Sequence, residues 1–227
     1  MIVKSSAMSC CRVLVAGVAL FILPVFGFAQ NPPPNTETPK KVNVRPAPPP
    51  TTAASSEPFD GASVEKMQQC VTLETEQGLI VIEMLPAKAP ETVRSFLNLV
   101  ATGSLNTTTF SRVVKGFVIQ GGNLSTSEKW GVALAARMGR KLPDEPNDVK
   151  HVRGIVSMAR GDEPNSASTH FFILVGAGPH LDGKFAGFGR VTRGLEIADA
   201  INRAETQGET PLVPVRISLA TVKPCEK

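Results

Sequence analysis

The sequence has little with which to do metal or covalent chemistry. Its three histidines, His151, His170 and His180, stand in no metal-ligand spacing. Of its four cysteines, Cys10 and Cys11 precede an apolar run near the N-terminus. That leaves Cys70 and Cys225, too far apart in sequence for a local cluster, so no metal centre is expected. A G-x-S-x-G elbow is missing, which argues against a hydrolase of that kind. Gly178 to Lys184 has the glycine and lysine spacing of a phosphate loop, but Phe185 stands where Ser or Thr is obligatory. Strand-like sequence then follows where that loop needs a helix. Without a nucleophile, metal or cofactor loop, a cofactor-free protein is expected. Charge is also scarce: the net value is +4, and +2 without Lys4 and Arg12, too little and too scattered to argue for nucleic acid. Arg160-Gly161-Asp162 spells a tripeptide known in cell adhesion, but three letters carry almost no information. Internal repeats are not apparent.

Long apolar runs are missing as well. The longest, Val13 to Phe28, is 16 residues and contains Pro24, whereas a membrane span needs roughly 20. Lys4 and Arg12 flank it, and Gly27-Phe28-Ala29 places small residues before Gln30, so residues 1–29 read as a secretory signal peptide. An uncleaved anchor is the alternative, and only then would the chain engage a membrane. Residues 30–64 read as a Pro-rich disordered tether, since nine of the thirty residues from Asn31 to Asp60 are proline.

Residues 65–227 are then the folded domain, about 160 residues long. A chain of that size buries about two-thirds of its unfolded surface and needs no metal or disulfide framework. Cys70 and Cys225 bracket it, and an even pair at the two ends of an exported domain suggests a Cys70–Cys225 disulfide. Sequence alone does not show that those ends meet.

Within the domain, CVTLETEQG and LIVIEML read as an antiparallel strand pair split by a Gln-Gly turn. In APETVRSFLNLVATG, Val93, Phe96, Leu97 and Val100 recur at helical spacing, with Pro90 and Glu91 in the first turn and Gly103 as terminator. TFSRVV and GFVIQGG form the next pair of strands, followed by HVRGIVSMAR, THFFILVG and KFAGFGRVTRG. GLEIADAINRA reads as a second short helix and VPVRISLATV as a last strand, while the stretch between Asn123 and Asn147 shows no clear period and reads as a long loop with one helical turn. Eight strands, two helices and no βαβ alternation predict a mainly β fold, a closed eight-stranded antiparallel barrel capped by two helices.

Arg112 stands out, because it sits in the otherwise apolar run FSRVVKGFVIQGGN (110–123). An arginine so placed can pack its stem and lift its guanidinium to water, with no further role. That run, with GIVSMAR (154–160), SASTHFFI (166–173) and LDGKFAGFGRV (181–191), resembles the cyclophilins, the peptidyl-prolyl cis–trans isomerases. ETEQGLIVIEMLPAKAPETVRSFLNLV is similar to that family's opening strands and first helix, so the resemblance runs from about Val71 to Val222.

The resemblance implies a barrel with a groove on its outer face. It implies Arg112 as the catalytic arginine and Phe117, Val118, Phe172 and Leu181 as the lining of a pocket for the substrate proline ring. Gln120, Ala159, Arg160, His170, His180 and Phe185 fall at peptide-binding positions. Singly, Phe117, Phe172 and Leu181 read more readily as core, and Gln120 can be read as the end of a strand. His180 stands where many relatives carry tryptophan or phenylalanine, so weak cyclosporin sensitivity is expected. His170 replaces a common glutamine and Phe185 a common histidine or tyrosine; the histidines read as groove-edge residues with no proton-transfer role. SEKWGVALAARMGRKLPDEP lacks the glycine-rich loop of many eukaryotic relatives. The expectation is a monomeric prolyl isomerase of the exported bacterial type, periplasmic or secreted, acting on proline-containing polypeptides. The rival is a proline-peptide-binding chaperone with little or no catalysis.

Overall fold

In the computed structural model, residues 57–226 are described. The signal-peptide reading of residues 1–29, and the tether reading as far as residue 56, lie outside them. Among the described residues no helix is long and apolar enough to cross a membrane.

Strands β1 (Cys70–Thr75) and β2 (Gly78–Met84) form the first hairpin. Their alternation sends Val71, Leu73, Ile80 and Ile82 wholly into the core. Helix α1 (Pro90–Ala101) buries Val93, Phe96, Leu97 and Val100 as its spacing requires. It has no capping side chain of its own; the Glu145 carboxylate accepts from the N–H groups of Glu91 and Thr92 at 3.0 and 2.8 Å instead. At its other end Gly103, with φ of +71°, lets Ser104 N–H reach back to Leu99 O at 2.8 Å.

The remaining strands of the main sheet are β3 (Arg112–Val114), β4 (Val118–Gly121), β5 (Ile155–Met158), β6 (Phe171–Leu174), β7 (Gly187–Arg193) and β10 (Ile217–Lys223). Their order is β10-β1-β2-β7-β5-β6-β4-β3, antiparallel at every junction. Eight strands were expected and eight are present, but the closed barrel overstated their arrangement. The outermost strands, β3 and β10, do not pair directly; the segments beside them meet through the Thr109–Arg216 bridge and through hydrogen bonds from Phe110 N–H to Val215 O, Thr107 N–H to Ile217 O and Ile217 N–H to Thr108 O. β3 has three residues, and its free edge is occupied by a small separate hairpin, β8 (Thr206–Gln207) with β9 (Thr210–Pro211), through Val113 N–H to Glu209 O at 2.8 Å.

Among the described residues three α-helices accompany the sheet, not two. The fold includes α3 (Leu195–Asn202), as its pattern predicts, and α2 (Val132–Gly139), where a loop with one turn was expected. The inward face of α2 includes Leu134, Met138 and the buried Arg137, while Val132 is exposed. A cation in the buried stripe hid the helical period.

The domain also begins earlier than residue 65. Phe59 N–H donates to Asn98 Oδ1 at 2.8 Å, Asn98 Nδ2 donates to Asp60 Oδ1 at 3.0 Å, and Glu57 pairs with Arg137 at 3.4 Å. Residues 57–64 are thus packed onto α1 and α2. At the other end β1 pairs with β10, and a disulfide joins Cys70 to Cys225 with their Cα atoms 4.9 Å apart.

Two apolar clusters lie on opposite faces of the sheet. Phe96, Phe171 and Phe188 meet in the main core with ring centroids 5.0 and 5.1 Å apart. Val118, Ile155, Phe172, Leu174 and Leu181 form the second. Strand β6 serves both, Phe171 and Ile173 inward and Phe172 and Leu174 outward. The outer cluster places the site.

Candidate active site

Pairing register assembles the outer face. Arg112 lies opposite Gln120 across β3 and β4, and Gln120 opposite Phe172 across β4 and β6, so one row carries all three. Arg112 Nη1 donates to Gln120 Oε1 at 3.1 Å. Phe117 stands just outside that row on the β3–β4 turn, which Asn202 of α3 holds from beneath. Asn202 Oδ1 accepts from Gly116 N–H at 2.8 Å, and its Nδ2 donates to Val114 O and Val118 O at 2.8 and 3.0 Å.

Opposite Phe117 is the short 3-10 turn Pro179–Leu181. A Cβ on Gly178 would lie 3.0 Å from the Phe117 ring and 3.1 Å from Leu181, so a larger residue there would push these walls back by a few tenths of an ångström. The turn is tied down by buried His151. Its carbonyl accepts from Gly178 N–H at 2.8 Å, and its own N–H donates to Asp182 Oδ1 at 2.8 Å. That donation, followed by contacts with the His151 ring and Lys150, holds the Asp182 carboxyl below its usual range. His151 Nδ1 lies 3.2 Å from Asp182 Oδ1, and Nε2 lies 3.1 Å from Ser157 Oγ. This Asp–His–Ser chain is no hydrolase triad: Ser157 is fully buried and its hydroxyl donates to Ala186 O at 2.9 Å.

Between these walls lies a groove of about 180 Å³ lined by Arg112, Phe117, Val118, Gln120, Ala159, Arg160, Phe172, Leu181 and Phe185. Phe172 and Phe185 meet edge to face at 6.2 Å, and the Arg160 guanidinium lies 5.0 Å from the Phe185 ring centre. Ala159 N–H donates to His170 O at 3.0 Å, which keeps that segment beside β6. The floor is apolar and cations stand at the rim.

The structure brings nine of the eleven sequence-derived groove residues to the lining of this groove, and places the other two beside it. His170 lines an adjoining wider groove of about 660 Å³, which shares Arg112, Gln120, Ala159 and Arg160 with the first and adds Met138, Lys141, Ser166 and Ser168. Burial there, and then Lys141, favour its neutral ring and push its pKa down. His180 is exposed, its ring 5.4 Å from that of Phe117. Asn202, His151, Asp182 and Glu209 were not anticipated as supports. Most of their contacts come from elements distant in sequence, and only Asp182 lies in one of the segments that carry the family resemblance.

An apolar pocket with an arginine and a glutamine at its rim is suited to a peptide segment that presents an apolar ring beside an amide. Residues 70–222 match the model of the family described as cyclophilin type peptidyl-prolyl cis-trans isomerase/CLD. A peptidyl-prolyl cis-trans isomerase of Arabidopsis thaliana is 37% identical over 155 residues, 67% of this chain and 94% of its own. Peptidyl-prolyl cis-trans isomerase-like 3 of Gallus gallus is 39% identical over 156 residues, with 67% and 94% covered. The crystal structure of a Cryptosporidium parvum cyclophilin type peptidyl-prolyl cis-trans isomerase in the presence of the dipeptide Ala-Pro superposes with a TM-score of 0.61 at 29% identity. That match covers 69% of this chain and all of the other. The chain belongs to the cyclophilin-type peptidyl-prolyl cis–trans isomerase family. It is an isomerase, and proline-containing peptides are its substrate class.

Proposed function

We propose that Arg112 is the catalytic residue, that Phe117, Val118, Phe172 and Leu181 seat the proline ring, and that Gln120, Ala159, Arg160 and Phe185 hold the flanking peptide. The observation that carries this reading is the hydrogen-bonded pair Arg112–Gln120 at the rim of an apolar groove. An X–Pro bond turns over a barrier of about 18–20 kcal/mol because the amide is conjugated. Left alone it takes roughly 10–100 s. Reaching a typical rate of about 10–10³ s⁻¹ requires roughly 4–7 kcal/mol of transition-state stabilisation.

No bond breaks, so no nucleophile is required. Twisting localises the lone pair on the proline nitrogen, which then accepts a hydrogen bond from Arg112. A bond to a charged donor contributes about 1.5–3 kcal/mol, and more in a dry site. The apolar walls grip the ring while the carbonyl side turns, and desolvation favours the twisted, less polar amide.

We further propose that the protein acts in an oxidising compartment, periplasmic or extracellular, as a monomeric folding helper of exported proteins. The leader pattern of residues 1–29 supports export, and so does the Cys70–Cys225 bridge. The test is refolding of an exported client whose slow phase is an X–Pro isomerisation. The protein is expected to shorten that phase and Arg112→Ala to leave it unchanged. Equal protection from aggregation by both forms, with no change in the slow phase, would favour a binding chaperone instead.

A further inference from the structure

Arg112 has a second partner, 97 residues away in sequence. Its Nε donates to Glu209 Oε2 at 2.6 Å. Glu209 follows Gly208, whose φ is +61°, in the tight turn of the β8–β9 hairpin. The Glu209 carbonyl accepts from Val113 N–H at 2.8 Å, so its main chain and side chain grip consecutive residues of β3. A guanidinium is a rigid plane. Acceptors on two of its nitrogens, Glu209 at Nε and Gln120 at Nη1, fix its orientation as well as its position. Nη2 makes no hydrogen bond to protein among the described residues.

We propose that Glu209 is a positioning residue for the isomerisation: its carboxylate sets the plane of the Arg112 guanidinium so that the unpaired N–H groups serve the substrate. This rests on Arg112 being the group that acts on the proline nitrogen. Arg112 and Glu209 side chains are 42% and 55% exposed, so the pair contributes little to global stability and is screened by salt. Its effect falls on the oriented transition state, hence on kcat rather than on peptide affinity.

The experiment measures exchange of a short Ala-Pro peptide by NMR, with peptide affinity from the same titrations, in wild type, Glu209→Ala, Glu209→Gln, Arg112→Lys and the double variant Arg112→Lys with Glu209→Ala. Alanine keeps the backbone link to Val113, and equal melting temperatures verify that the hairpin is intact. Glu209→Ala is expected to lower kcat/KM about fivefold at unchanged affinity. Glu209→Gln, still an acceptor, should recover most of that loss. In the Arg112→Lys background the alanine should cost nothing further. Raising salt from about 0.05 M to about 0.5 M should lower the wild type no further than the level of Glu209→Gln and leave Glu209→Ala flat. Wild-type kcat/KM for Glu209→Ala at low salt, or an equal loss in the lysine background, overturns the proposal while Arg112 keeps its role. Full activity of Arg112→Ala overturns the assignment of Arg112 itself.

Discussion

Arg112 and Gln120 face each other across neighbouring strands, and their side chains are joined at 3.1 Å. Strand register puts the glutamine opposite the arginine; the hydrogen bond then draws the guanidinium over the groove. Gln120→Leu keeps the strand and removes the acceptor. It should lower kcat/KM by about tenfold, the worth of one hydrogen bond to a charged group, with little change in melting temperature. A peptide exchange assay beside a thermal melt checks both halves of that expectation.

Phe172 and Phe117 should separate stability from binding. Phe172 is 6% exposed and belongs to the outer cluster, whereas Phe117 is only partly buried. Phe172→Ala leaves a cavity and should destabilise by about 3–5 kcal/mol as well as weakening peptide binding. Phe117→Ala should raise the peptide Kd with a much smaller loss of stability. Urea unfolding and a peptide titration on each variant would show it.

The disulfide closes a loop of 155 residues, and its cysteines are absent from the groove lining. Replacing both by serine should destabilise the fold by about 2–5 kcal/mol and leave kcat/KM at 25 °C near the wild-type value. Native protein unfolded without reductant should titrate neither of these thiols. Two reactive thiols from Cys70 and Cys225 would show that the bridge does not form.

Acid should weaken the fold in two stages. His170 is held neutral by burial and by Lys141, so its folded pKa lies below the unfolded value of about 6.5. The unfolded chain therefore takes up that proton first, and stability falls as pH drops from about 6.5 toward the folded value. Asp182 is held ionised chiefly by the His151 N–H, so its contribution is complete above the unfolded carboxylate pKa of about 3.9 and is lost as pH falls through the lower folded value. His170→Gln should flatten the first stage and Asp182→Asn the second in melts against pH. Since rotation moves no proton, kcat/KM should stay level between about pH 7 and 8.

The strands and the groove floor were legible in sequence because both have short-range causes. Val71, Leu73, Ile80 and Ile82 alternate, and α1 recurs at helical spacing. FFIL in β6 is apolar throughout because it is buried on both faces, a pattern that gives a strand without saying which side forms a site. What stayed hidden depends on contacts made at long range. The cover on the β3 edge comes from the Glu209 carbonyl, α2 from Arg137 inside its buried stripe, and the early domain start from Asn98 binding Phe59 and Asp60. Proline-rich sequence before residue 60 masked that start. His170 and His180 were placed by motif, and geometry puts one in the adjoining groove that shares Arg112 and Gln120, and the other beside Phe117.

The central claim is that Arg112 accelerates rotation about the X–Pro bond. Its most direct test is NMR exchange of a short X-Pro peptide with the wild-type protein and with Arg112→Ala at matched peptide occupancy. The account predicts acceleration by the wild type and at least a roughly tenfold loss in the variant, from one hydrogen bond to the proline nitrogen. Equal acceleration by both proteins would contradict it.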